Sequence, residues 1–236
     1  MNSAPKNFRT KASTFLTTKP FVIILIITTS AAMAIVGGTA YLAGLLVTFV
    51  VLWAIRWDWS YFGLRKPQWG KALVGALGYT VVAVVLIDIV LTPLVEYLTG
   101  IPHDHSAFTF LEDNLAKLLV FMVIMWIIAG FGEEFYYRGY IMKRLATLMG
   151  DSDKAWLWAM VLSAIPFGIV HFYQGLSGMI TTGLAGLLFG FIFYRNRKDL
   201  VVCMLTHGIY NMVGLTVIYL GKADLFPGFG EKLWGF

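Results

Sequence analysis

Two adjacent carboxylates and a guanidinium directly follow a long apolar run. Glu133 and Glu134 come after the run at residues 118–131, and Arg138 lies four positions beyond Glu134. A charge near the centre of a bilayer costs about 3 kcal/mol or more, so such groups normally face a protein interior or a wet cavity, where they do chemistry or transport. On a helix Glu134 and Arg138 share one face and can pair. Glu133 points about 100° away, and a free carboxylate whose proton affinity is raised by desolvation suits a general base.

Two further pairs with helical spacing occur in later apolar runs. Phe167 and His171 are four residues apart, as are His207 and Asn211. A histidine and an amide on one helical face offer two donors that can converge on one oxygen, which is what an oxyanion hole requires. The alternative interpretation is a buried polar network that only joins helices, and the combination of all these groups at matching depth argues against it.

A zinc site is the alternative chemistry for the same residues. Glu133, His171 and His207 are the ligands that zinc would take, since it binds nitrogen and oxygen and keeps an open position in catalytic sites. The chain has no H-E-x-x-H motif, and Asn211 is a poor zinc ligand but a good oxyanion donor. The sequence therefore favours a mechanism without metal or other cofactor. We also expect Tyr136 and Tyr137, three and four residues after Glu133, to donate hydrogen bonds to it.

Composition indicates the elements that must position these groups. The chain is 58% hydrophobic and 13% charged with a mean hydropathy of +0.75, whereas soluble domains have about 25% charged residues. This composition, with the apolar runs of the sequence, predicts an all-α, multi-pass transmembrane helical bundle of about seven spans, each needing about 20 residues. The predicted spans are residues 21–36, 40–55, 72–91, 117–131, 155–170, 178–194 and 200–220.

The basic residues predict an orientation rather than a nucleic-acid site. They cluster before the first predicted span and after the second, fourth and sixth, while residues 92–116 carry acidic residues and no basic one. By the positive-inside rule this pattern predicts a cell-membrane protein with a cytoplasmic N-terminus and its C-terminus outside. Residues 19–34 also resemble a signal peptide, but the next apolar run follows so closely that we favour an uncleaved first span.

The predicted organisation is one membrane domain with two short ends. Residues 1–20 form a cytoplasmic segment, residues 21–220 the polytopic domain with its motif core at 117–220, and residues 221–236 a tail. We expect one long helix from about 117 to 149, broken and capped at residues 151–153, so that the fourth and fifth helices form a long hairpin. Counted from its tip, Glu133 and His171 lie at similar depth, which predicts a site in the cytoplasmic half of the bilayer.

Three polar or reactive features are assigned no function. Cys203 is the only cysteine and is interpreted as a small buried residue. Asp88 lies in an apolar run close enough to its end to reach the interface. His103 and His105 form an H-x-H pair in the loop at 92–114, where a metal site is less expected than solvated side chains.

The three motifs together resemble a known family. Glu133-Glu134-x-x-x-Arg138, Phe167-x-x-x-His171 and His207-x-x-x-Asn211 resemble, in order, the motifs of the CAAX-protease and bacteriocin-processing (CPBP or Abi) intramembrane endopeptidases, which include the type II CAAX prenyl endopeptidases. The resemblance implies that Glu133 activates water with assistance from His171, that His207 and Asn211 stabilise the oxyanion, and that Glu134, Arg138 and Phe167 support the site.

The resemblance implies a substrate class and leaves rivals to test. The expected partners are the lipid bilayer and a peptide or protein, lipidated or not, cleaved at the cytoplasmic leaflet; the oligomeric state stays open. The alternatives are a non-catalytic membrane immunity or regulatory protein that binds a peptide or partner, a zinc-dependent version of the protease, and a cation-coupled transporter. The transporter predicts internal repeats, and none is visible in the sequence.

Overall fold

The computed structural model describes residues 8–36, 39–196 and 198–235, with only the backbone of 33–36. Residues 1–7 of the predicted N-terminal segment and residue 236 of the predicted tail lie outside this range. The described part is helical and has no strand. Its helices are α1 (Phe8–Leu16), α2 (Lys19–Val36), α3 (Ala40–Ala54), α4 (Trp69–Thr99), α5 (Leu115–Leu148), α6 (Asp153–Ile169), α7 (Gly175–Arg195), α8 (Leu200–Tyr219) and α9 (Leu225–Trp234).

Every predicted span falls on one of these helices, which confirms the all-α membrane bundle. Among the described residues four helices are long and apolar enough to cross a bilayer, at Trp69–Thr99, Leu115–Leu148, Phe172–Arg195 and Leu200–Tyr219. A fifth crossing is reached if α1 and α2, bent by 63°, act as one span. Helix α3 is apolar but shorter, so the count of seven stays a prediction.

The long hairpin is confirmed. Helix α5 has 34 residues, about 51 Å at 1.5 Å per residue. The chain turns at Gly150 and Asp151, which both adopt positive φ, and Ser152 caps α6 by accepting a hydrogen bond from the Ala155 amide. The Trp156 indole donates to Asp151, 2.6 Å away, which ties the turn to the next helix.

Helices α6 and α7 pack closely because small residues face each other. A Cβ added to Gly168 would lie 2.7 Å from the Met179 carbonyl oxygen and 3.0 Å from the Gly183 Cα. Such close approach of two backbones is typical of membrane helix pairs. It fixes the separation of the two helices that form one wall of the site.

Helical geometry changes locally where polar residues enter the bundle. Three segments are π-helical: Val84–Leu91 within α4, and Trp126–Glu133 and Phe135–Met142 within α5. Asp88, Glu133 and Arg138 lie in these segments. π-Turns inside α-helices occur frequently at functional sites, and here they coincide with the polar residues of the membrane helices.

The predicted tail also contains a helix. Helix α9 packs against the π-helical part of α4, and a Cβ at Gly230 would meet the Ile89 carbonyl oxygen at 2.0 Å. Residues 221–235 are therefore part of the packed bundle, which the sequence did not predict.

Candidate active site

A cavity of about 230 Å³ lies between α4, α5, α7 and α8. Its lining includes five of the motif residues, Glu133, Phe167, His171, His207 and Asn211. The candidate residues predicted for chemistry therefore face one space, although they come from three separate parts of the chain. Glu134 and Arg138 lie behind this wall, with 0% and 1% of their surfaces exposed.

Glu134 is held by three partners in the protein interior. Its Oε1 accepts hydrogen bonds from Arg138 Nη1 at 2.8 Å and from His207 Nδ1 at 2.7 Å. Its Oε2 accepts from the Cys203 thiol at 2.9 Å. The predicted Glu134–Arg138 pair is confirmed, but the carboxylate supports His207 rather than Glu133.

Arg138 is fixed by aromatic rings and one carbonyl group. Its guanidinium lies 4.4 Å from the centre of the Phe167 ring and 5.4 Å from that of Phe189, and Nη2 donates to the Gly186 carbonyl at 3.0 Å. Arg suits this position because its planar group can stack and pair at once. Phe167 thus supports the site through its ring, while its carbonyl accepts a hydrogen bond from His171 Nδ1 at 2.7 Å.

The two histidines are oriented in the same way. In each the Nδ1–H group is committed to a protein acceptor, Phe167 O for His171 and Glu134 for His207. Each Nε2 is therefore left for whatever occupies the cavity. His207 is additionally stacked on Phe189, with ring centres 4.5 Å apart and 20° between planes.

Glu133 differs from all of these groups. No described residue donates a hydrogen bond to it, while its charge acts on His171, Tyr41 and Tyr173 nearby. The expectation that tyrosines hold Glu133 is wrong, because the Tyr136 hydroxyl pairs with that of Thr29 at 3.2 Å and Tyr137 packs edge-on against Phe167. Glu133 is thus half-buried and free to take a water or a substrate group.

Two of the candidate zinc ligands are supported in the way that metal-binding histidines usually are. An Nδ1–H bonded to a carboxylate or a carbonyl is the usual support of a metal-binding histidine, so each ring alone would suit a ligand. Within the described residues, however, no group of three His, Cys, Asp or Glu side chains comes close enough to hold a metal ion. The same finding applies to His103 and His105, whose rings stack on each other 4.5 Å apart.

The cavity extends towards one end of the bundle. Its far lining comes from three segments, the loop at 100–114, the turn at 171–174 and residues 223–227, which include His103, His105, Tyr173 and Phe226. If the N-terminus is cytoplasmic, as the charge pattern predicts, all three segments lie outside. Two expectations from the sequence therefore cannot both hold if the substrate enters at this end. One is that the N-terminus is cytoplasmic, and the other is that the substrate arrives at the cytoplasmic leaflet.

Sequence reasoning missed three residues of the site. Cys203 is buried as expected but also binds Glu134, Phe189 stacks on His207, and Asp88 lines the cavity, where it accepts a hydrogen bond from Tyr210 at 2.5 Å. Only Asp88 left a signal in the sequence, as a carboxylate within an apolar run. Its position at the cavity corrects the expectation that it reaches the interface.

Comparison with known proteins identifies the same part of the chain. No curated protein and no solved structure matches the chain. A family model described as type II CAAX prenyl endopeptidase Rce1-like matches residues 115–213. That segment begins with α5 and contains all three motifs, so the resemblance is confirmed. Residues 115–213 are thus similar to a family of CAAX-type proteases, and the chain, with several helices long and apolar enough to cross a bilayer, is a multi-pass membrane protein.

Proposed function

We propose that this protein hydrolyses a peptide bond by a water molecule that Glu133 activates. The observation that carries the proposal is the contrast between Glu133, which faces the cavity without a donor among the described residues, and Glu134, which is fully committed to Arg138, His207 and Cys203. A carboxylate without fixed partners in a partly dry site can accept a proton from water and later return it to the leaving amine. His171 assists through its Nε2.

His207 and Asn211 stabilise the tetrahedral oxyanion in this proposal. Because His207 Nδ1 donates to Glu134, a hydrogen bond from Nε2 to the oxyanion requires the imidazolium form of the ring. The Asn211 amide has no hydrogen bond with any described residue and can supply the second donor.

The reaction is proposed to proceed without a metal, because Asn211 is an oxyanion donor rather than a zinc ligand and no three ligand side chains of the described residues lie close enough together to hold an ion. Chelation tests this directly. We expect purified protein treated with EDTA or phenanthroline to retain its activity, with zinc content measured in parallel. Activity lost on chelation and restored by zinc would show that the zinc-dependent version is correct.

We propose that the substrate reaches the cavity from the end formed by residues 100–114, 171–174 and 223–227. With the cytoplasmic N-terminus that the charge pattern predicts, this end faces away from the cytoplasm. The expectation of cleavage at the cytoplasmic leaflet needs the opposite orientation.

Cysteine labelling tests the orientation. Cys203 is buried and is the only cysteine, so single cysteines placed at exposed Glu112 and exposed Arg65 can be labelled from either side of sealed cells and vesicles. Labelling of the Glu112 site from the cytoplasmic side would reverse the assignment.

The decisive test of the hydrolase is Glu133→Gln. This variant should insert, fold and bind peptide but should not cleave, as judged by comparing membrane peptides between cells with each form. The same variant separates the proposal from a non-catalytic immunity or regulatory protein, whose function would survive the change. Identical peptide termini in both cells would contradict the proposal.

A further inference from the structure

Asp88 is a second carboxylate in the cavity that the proposed hydrolysis does not use. It lies in α4, before the segment matched by the family model. Like Glu133, it occupies a π-helical segment and lines the cavity. A carboxylate at membrane depth is costly, and such residues generally mark a binding or transport site.

The contacts of Asp88 leave it able to bind a ligand. The Tyr210 hydroxyl donates to its Oδ1 at 2.5 Å. Across residues 8–36, 39–196 and 198–235 this is its hydrogen-bond donor, and no Lys, Arg or His forms a salt bridge with it. One oxygen is therefore positioned by Tyr210, while the side chain as a whole remains only half-buried and in contact with the cavity.

Asp88 lies beside the proposed oxyanion donors. Tyr210 directly precedes Asn211 in α8, and its ring packs against Phe189 with centres 6.1 Å apart. Phe189 in turn stacks on His207. A group bound at Asp88 would thus lie next to the scissile peptide rather than at a remote surface.

The lining has carboxylates but no strongly basic side chain. Asp88 and Glu133 both contribute to it, whereas no Lys or Arg of the described chain does. Its remaining basic groups are four histidines, of which His103 and His105 lie in the loop. Burial lowers the pKa of His103 to about 4 and lowers that of His105 as well, so both rings are neutral at pH 7. The cavity is therefore suited to a cation.

We propose that Asp88 binds a cationic group of the substrate, so that the peptides cleaved carry a Lys or Arg side chain close to the scissile bond. This inference rests on the proposed function and names its substrate class. A charge pair formed in a water-poor cavity is selective because removing one partner leaves the other buried and unpaired. Tyr210 is the positioning residue, since it holds the carboxylate towards the cavity.

The test uses purified full-length protein and short peptides of Ala and Leu, acetylated and amidated, with one Lys, norleucine or Glu at each position in turn. Cleavage is followed by mass spectrometry for wild type, Asp88→Asn and Tyr210→Phe. Glu112→Gln, in an exposed loop, is the matched carboxyl-to-amide control. Peptide binding is measured separately in Glu133→Gln protein with and without Asp88→Asn.

We expect wild type and Glu112→Gln to prefer Lys over norleucine at one position and to reject Glu there. Asp88→Asn should lower kcat/KM for the Lys peptide about tenfold or more, the typical effect of removing a buried charge partner, with little change for norleucine. Tyr210→Phe should reduce the same preference less. Equal losses for Lys and norleucine peptides, or no preference in wild type, would overturn the proposal.

Failure of the proposed function is distinguishable from failure of this inference. If wild type cleaves none of the peptides, the binding measurement decides. Lys-selective binding that disappears with Asp88→Asn would support the cation site without the hydrolase. Binding that does not distinguish Lys from norleucine would refute the cation site.

Discussion

Glu133 and Glu134 are neighbours in α5 and have opposite environments. Glu134 is fully buried and accepts hydrogen bonds from Arg138, His207 and Cys203. Glu133 lines the cavity and has no donor among the described residues. A rotation of about 100° between successive residues is enough to place Glu134 in the buried hydrogen-bond network and Glu133 in the lining of the cavity.

The difference shows how a membrane protein can contain several charges at one depth. The charges of Glu134 and Arg138 compensate one another, His207 is hydrogen-bonded to the same carboxylate, and the geometry is fixed by Phe167 and Phe189. Glu133 has no such compensation, so its role must come from what enters the cavity. Substituting each carboxylate in turn tests whether Glu134 acts in the buried network and Glu133 acts in the cavity.

The largest expected effect is that of Glu133→Gln on cleavage. Loss of a general base typically lowers rates by about 10²–10⁴, while stability should not change, since the amide replaces a group without fixed partners. Glu134→Gln should reduce both cleavage and stability, because it weakens the network that holds His207. Rates and thermal unfolding in detergent measure the two effects. A loss of stability in Glu133→Gln equal to that in Glu134→Gln would show that the division is wrong.

Arg138→Met should give the largest loss of stability. It leaves the fully buried Glu134 carboxylate without its guanidinium, and breaking a buried pair in this way costs about 3–5 kcal/mol. The free energy of unfolding, measured by equilibrium denaturation in micelles, is the test. The double variant Glu134→Gln with Arg138→Met should recover part of the loss because no unpaired charge remains; a purely additive result would show that the pair is not coupled.

The sequence predicted the motif residues better than their partners. Helical spacing alone predicted the Glu134–Arg138 pair and a free Glu133, because both follow from the geometry of one helix. The contacts of Glu134 with His207 and Cys203 join α5 to α8, and no local periodicity contains that information. The pattern of apolar residues does not predict the π-helical segments at 84–91 and 126–142 either. The position of Asp88 in the lining of the cavity was therefore not predicted.

A smaller effect is expected in the wall of the site that α6 and α7 form. In Gly168→Ala the new methyl group would overlap the Met179 carbonyl and approach Gly183, forcing α6 and α7 apart at a cost of about 1–3 kcal/mol. Because His171 follows α6 directly, cleavage should fall as well. Gly183→Ala is the matched control, since its Cβ would lie 3.6 Å from Gly168, an ordinary contact. Equal unfolding temperatures for the two variants would contradict the close approach.

The smallest expected effect concerns the loop at residues 100–114, which lines the far end of the cavity. His103 packs beside His105, Asp104, Gln174 and His171, and its backbone amide donates to Glu96. Burial lowers the pKa of His103 to about 4, below the usual 6.5.

The pKa of His103 returns to its usual value when the loop opens. Between about pH 4 and pH 6.5 the opened loop therefore binds more protons than the closed loop. The closed loop is fully stable above about pH 6.5 and loses stability as the pH falls towards 4. Hydrogen exchange of residues 100–114, corrected for intrinsic rates, should accelerate from pH 7.5 to 5.5, and His103→Gln should reduce that dependence. An unchanged pH dependence in this variant would exclude His103 as its origin, whereas the Glu134 network on the other side of α5 should show no acceleration in either protein.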